Sequence, residues 1–118
     1  MCHQTVGLVA RAVEEAGVAT LTMSVGMDIT RHVRPPRAVF VDYPMGNEIG
    51  RPGNADEQRR IVRGAFAALA AMTAPGEVVD LGMRLDAEAP DGRPWRDWVY
   101  TKEFRRHAMR TREGRSPA

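Results

Sequence analysis

The segment from Pro35 to Asn54 constrains this chain more than any other. Ala38-Val39-Phe40-Val41-Asp42-Tyr43 is a run of apolar, β-branched and aromatic residues, with Pro35-Pro36 before it and Pro44 after it. That is the pattern of a buried strand. Residues 44–53 follow, and four of these ten are Gly46, Asn47, Gly50 and Gly53, residue types that reach positive φ at little cost. Asn54 then stands where a helix N-cap belongs. The unit is strand, loop, helix. In open α/β sheets ligands bind beyond the carboxyl ends of the strands, so the loop is a candidate ligand site with Gly46, Asn47, Gly50 and Asn54 as substrate-binding candidates. A loop of this composition can equally be a plain connection.

The flanking segments fit the same architecture. Thr5 is placed to cap a helix over Val6 to Ala16, with Val6, Val9, Ala10 and Val13 on an apolar face, Arg11, Glu14 and Glu15 opposite, and Gly17 as the stop. Residues 18–25 alternate and are β-branched, which predicts a strand. Asp28 is placed to cap a short helix that Pro35-Pro36 must end by about Val33. Asn54 and Glu57 have the spacing of a capping box, opening a helix with Ile61, Val62, Ala65, Phe66, Leu69 and Met72 as its apolar stripe and Pro75-Gly76 as its end. Residues 77–83 predict a third strand. The expected fold is α/β, a small three-layer domain with a short, mostly parallel sheet and flanking helices, over residues 1–85. Residues 86–118 are expected to form a basic helical tail carrying Trp95 and Trp98.

Charge supports that division. Residues 93–118 hold eight Lys or Arg against three Asp or Glu, so of the whole chain's 17 and 15 the first 92 residues hold nine and twelve. At 118 residues the chain is long enough for one domain that buries roughly two-thirds of its unfolded surface. One cysteine allows no internal disulfide, and no signal-peptide pattern opens the chain, so the expected compartment is the cytoplasm. No stretch approaches the roughly 20 apolar residues that span a bilayer, and no membrane association is expected. The arginines and tryptophans of the tail match no nucleic-acid recognition motif. A Trp pair three residues apart points instead to a helix docking on the domain, and nucleic acid is not an expected partner.

Cys2 is the one residue with nucleophilic chemistry near a helix start, where the positive end of the helix favours a thiolate, and His3 beside it is placed to assist. A cysteine so close to the chain start can also be frayed and inert. His32 and His107 have no partner at metal-ligand spacing, so no metal is expected. Gly46, Gly50 and Gly53 fit neither the dinucleotide fingerprint nor a phosphate-binding loop, and no cofactor is expected. Arg37 supplies a fork suited to a carboxylate, although it stands at the opposite end of its strand from the loop.

The ordered set Cys2 to Ala10, Glu14-Glu15-Ala16-Gly17-Val18-Ala19-Thr20, Pro35-Pro36-Arg37 and Asp42-Tyr43-Pro44-Met45-Gly46-Asn47 resembles the selenoprotein B family of glycine, sarcosine and betaine reductases, to which the D-proline reductase selenoprotein subunit is also similar. The resemblance covers about residues 2–75. It implies reductive cleavage of a C–N bond at the α-carbon of a small amino acid or N-methylated derivative. It also implies attack by a selenocysteine or cysteine, a second cysteine that resolves the intermediate, and a separate pyruvoyl-bearing subunit that holds the substrate amine. In that pattern the attacking residue comes a few positions before the cysteine matching Cys2, after a strand. This sequence begins at Met1, so the expectation is a chain that is truncated, completed by another polypeptide, or without the reaction.

The leading expectation is therefore a reductase domain with Cys2, His3 and Thr5 at its catalytic end, Arg37 and the loop residues binding substrate, a reductase subunit as partner, and a homo-oligomer covering the sheet edge. The alternative is a non-catalytic subunit that binds a protein through its sheet edge or basic tail.

Overall fold

The computed structural model describes residues 2–85 of the chain. The expected tail helices around Trp95 and Trp98 lie outside the described residues. In order, the elements are α1 (Cys2–Glu15), β1 (Thr22–Ser24), α2 (Met27–Val33), β2 (Arg37–Asp42), α3 (Ala55–Ala71) and β3 (Glu77–Arg84). The three strands form one parallel sheet in the order β1-β2-β3, as the α/β reading expected. Among the described residues no helix is long and apolar enough to cross a membrane.

Strand pairing decides which side chains share a face. Met23 stands opposite Val39, and Val39 opposite Val79. With Leu21 and Leu81 these residues pack around Val39, Ala65 and Ala68, so α3 covers their face of the sheet. Alternation sends Thr22, Ser24 and Ala38 to the other face. There the buried Ser24 hydroxyl hydrogen-bonds the buried Thr30 hydroxyl of α2, which makes helix, sheet, helix three layers.

The structure corrects three local expectations. First, α1 begins at Cys2 rather than Val6, so Thr5 lies inside the helix and is not its cap. Its buried residues are Gly7 and Ala10, while Val6, Leu8 and Val9 are exposed. The cause is close approach to α2, since a Cβ on Gly7 would stand 2.5 Å from Val33 Cγ1. Only the small-residue face can pack there, and the valines rotate outward. The same rotation turns Glu14 inward, where its carboxylate accepts from the Thr20 amide and hydroxyl. The helix does end as expected, at Gly17 with φ +90, in a Schellman closure with the Val18 amide bonded to the Val13 carbonyl and the Gly17 amide to that of Glu14.

Second, β1 spans three residues rather than 18–25. Thr22 pairs with Ala38, so residues farther back would face Pro36 and Pro35, where proline offers no N–H to a ladder. Third, Gly26, not Asp28, occupies the cap position of α2, and Asp28 lies in the first turn. On α3 the expected stripe is half right: Ile61 and Ala65 are buried, but Phe66 is 66% exposed.

Candidate functional site

The loop after β2 is tied down by one buried carboxylate. Asn54 Oδ1 accepts from the Glu57 amide at 3.1 Å, which is one half of the expected capping box. The other half is absent, because the Glu57 side chain goes elsewhere. Its Oε1 accepts from the Arg51 amide at 2.8 Å, and the Arg51 guanidinium donates to both carboxylate oxygens, the shortest contact being Nη2 to Oε2 at 2.9 Å. The buried Tyr43 hydroxyl donates to it as well. Burial pushes the Glu57 carboxyl up, but the Arg51 guanidinium and amide and the Tyr43 hydroxyl outweigh it and hold the group below its usual range. Burial, with the charge of Glu57, pushes Tyr43 up. Gly50 lies directly over this carboxylate with φ +94, and a Cβ there would meet Glu57 Oε1 at 3.0 Å. Gly50 is thus required by packing within the loop.

A second cluster forms where the ends of α1, β1 and this loop converge. Cys2 and His3 occupy the first positions of α1, with Cys2 Sγ 3.8 Å from His3 Nδ1 and the thiol exposed. Gly26, just past β1, leaves room for the imidazole, since a Cβ there would stand 3.3 Å from its Cδ2. Cys2 and His3, with Val6, Thr22, Met23, Thr30 and Glu48, line a cavity of about 140 Å³. It lies towards the carboxyl ends of the strands, the edge where α/β sheets bind ligands. Glu48 reaches it from the loop, and its Oε1 accepts from the Gly46 amide at 3.1 Å. The turn is braced by the Asn47 amide on the Pro44 carbonyl and the Gly50 amide on the Asn47 carbonyl.

The predicted site residues therefore separate. Cys2 and His3 share the cavity, and Gly46 supports its Glu48 wall. Thr5 is exposed and does not line it. Asn54 and Gly50 serve the Glu57 anchor. Arg37 lies at the far, amino end of β2, where its Nη1 donates to Glu14 Oε1 at 2.8 Å. Loop amide and arginine thus sit at opposite ends of the sheet. Glu48, Thr22 and Thr30 were absent from the sequence reading of the site, and only Glu48 left a signal, its position within the Gly-rich loop. Among the described residues no group of three His, Cys, Asp or Glu side chains is disposed to hold a metal.

No protein-family model matches the chain, and no solved structure matches it. Among curated proteins it is similar to the D-proline reductase subunit gamma of Acetoanaerobium sticklandii, with 32% identity over 80 residues. The likeness is to a reductase subunit. The alignment takes in 68% of this chain and 33% of that protein, so the match spans about a third of the length of the curated relative. The coarse expectation of a reductase relationship stands on this similarity.

Proposed function

We propose that this chain is a reductase domain of the D-proline and glycine reductase type, acting in reductive C–N cleavage of a small amino acid or N-methylated derivative, with Cys2 as its thiol. The observation that carries the reading is the convergence of Cys2, His3 and Glu48 on one small cavity at the ligand-binding edge of the sheet, in a chain similar to a reductase subunit. In this reading His3 serves as the proton-handling neighbour of the thiol, and the Gly46-Asn47 turn holds the wall opposite it. Thr5 contributes to the start of α1 and Arg37 to the scaffold.

The electron count calls for a partner. Breaking a C–N bond reductively takes two electrons, which two sulfur atoms, or one sulfur and one selenium, supply by ending joined to each other. These 118 residues contain one cysteine, so the second chalcogen comes from outside them. A partner reductase subunit fits that requirement, in a cytoplasmic assembly that also covers the edges of β1 and β3 that pair with no strand among the described residues.

The test is a titration of the full chain with glycine, sarcosine, betaine and D-proline. Backbone amide shifts and the rate of Cys2 alkylation by iodoacetamide are followed together. The expected result is that at least one ligand at millimolar concentration slows alkylation and shifts the amides of His3, Gly46 and Glu48. No protection by any of the four, or shifts confined to Arg37, overturns the reading.

A second reading has an observation of its own. Val6 and Val9, three residues apart on one face of α1, are 46% and 55% exposed, and Leu8 and Val18 are exposed as well. That favours a non-catalytic role in which this surface docks on another subunit.

A further inference from the structure

Among the described residues, the cavity over Cys2 is lined by one acidic side chain, Glu48, and by no lysine or arginine. We infer that it admits organic cations in preference to anions, and that Glu48 sets this preference. Elsewhere in the described fold, Arg11 bonds the Val33 carbonyl, Arg37 bonds Glu14, Arg51 bonds Glu57 and Arg59 bonds Asp56. Glu48 is held in place through its bond from the Gly46 amide, in a loop whose far end is anchored on Glu57, so its charge stays at the cavity wall.

One effect opposes it. The amide end of α1 carries about half a positive charge and favours anions beside Cys2. A full unit of negative charge on Glu48 outweighs half a unit of positive charge at comparable range. In a water-accessible cavity of this size the surplus corresponds to roughly a three- to tenfold discrimination between a monovalent cation and a monovalent anion. The ligand end that enters is then a protonated or quaternary amine, with any carboxylate left outside. This deepens the proposed function by naming which end of the substrate faces the thiol, and it rests on that reading for its biological meaning only.

Charged thiol reagents read the preference directly. The full chain is treated at pH 8 and low salt with trimethylammonioethyl or sulfonatoethyl methanethiosulfonate. In each case the Cys2 thiolate attacks the sulfenyl sulfur, a disulfide forms and methanesulfinate leaves, and mass spectrometry gives the rate. Rates are divided by those for 2-mercaptoethanol to remove the reagents' own reactivity.

The corrected ratio of cationic to anionic rates is expected at roughly three- to tenfold, falling to one or below in Glu48→Gln, whose amide oxygen still accepts from Gly46. A ratio of one in the native chain overturns the inference. So does a raised ratio that Glu48→Gln leaves unchanged, or that Asp28→Asn, outside the cavity, abolishes equally. A chain that shows the ratio but is protected by none of the four amino acids refutes the reductase reading and leaves the charge preference standing. Protection without the ratio does the reverse.

Discussion

The anchor of the loop after β2 and the helix end that carries Cys2 are built in opposite ways. On the loop side, Glu57 is 3% exposed, its carboxylate accepts hydrogen bonds from Arg51 and Tyr43, and its amide donates to the Asn54 cap. On the helix side, Cys2 and His3 stand on the first turn of α1 with an exposed thiol and one long contact between them. A reactive group benefits from being approachable, whereas a wall that sets selectivity must not move. The fold places its buried polar bonds accordingly.

If that contrast is right, substitutions on the loop side cost stability and those on the helix side do not. The largest effect is expected from Glu57→Ala. It leaves the buried Tyr43 hydroxyl and the Arg51 amide without their acceptor, at a cost of about 3 kcal/mol, readable as a lowered denaturation midpoint in urea. A loss below about 1 kcal/mol would mean the loop does not depend on this carboxylate.

Gly50→Ala tests the same anchor from above. The positive φ and the 3.0 Å approach to Glu57 Oε1 together predict a cost of about 2 kcal/mol. Ala at Gly46, where φ is also +94 but nothing lies within 4 Å, should cost less, because only the backbone term remains.

Acid and base titrations sharpen the comparison further. Glu57 has its folded pKa lowered. Its contribution is therefore present above the unfolded carboxyl value and is lost as pH falls through the folded one. Tyr43 has its folded pKa raised, so its contribution is present below the unfolded phenol value and is lost as pH rises through the folded one. Glu14 is lowered too, chiefly by the Thr20 amide, against some burial, and adds to the acid limb. Stability should fall on both flanks, and Glu57→Gln should flatten the acid limb more than Glu14→Gln does. Equal flattening would divide the acid sensitivity between both ends of the sheet and remove the contrast.

The smallest effect is expected at the thiol. Cys2→Ser should leave the thermal midpoint unchanged while abolishing all labelling by thiol reagents. A drop in the midpoint would show that the first turn of α1 is as firmly packed as the loop, and the contrast would fail.

Local signals in the sequence located the elements well. All six elements of residues 2–85 were legible, because the 3.6- and 2-residue patterns and the backbone limits of Pro and Gly act over a few residues. Their bounds were less so: α1 begins at Cys2 rather than Val6, and β1 keeps only Thr22–Ser24 of the expected 18–25. Which face of a helix turns inward was less legible. The α1 pattern favoured Val6 and Val9, and the fold buried Gly7 and Ala10, since the distance between α1 and α2 chose the smaller side chains. Glu57 shows the same division. Its spacing from Asn54 marked a capping residue, and its bonding to Arg51 and Tyr43 appears only when the loop folds over it.

By itself, then, the sequence determined the α/β class, the strand-loop-helix unit around Pro44 and Asn54, the helix stop at Gly17, and the presence of a single thiol near the start of a helix. The tertiary structure alone decided that this thiol shares a cavity with Glu48, that Arg37 is taken up by Glu14 at the far end of the sheet, and that the loop hangs on a buried carboxylate. Caps, turns and periodicity are interactions between neighbours in the chain, whereas each of these pairings joins segments whose distance is set by how the helices pack on the sheet.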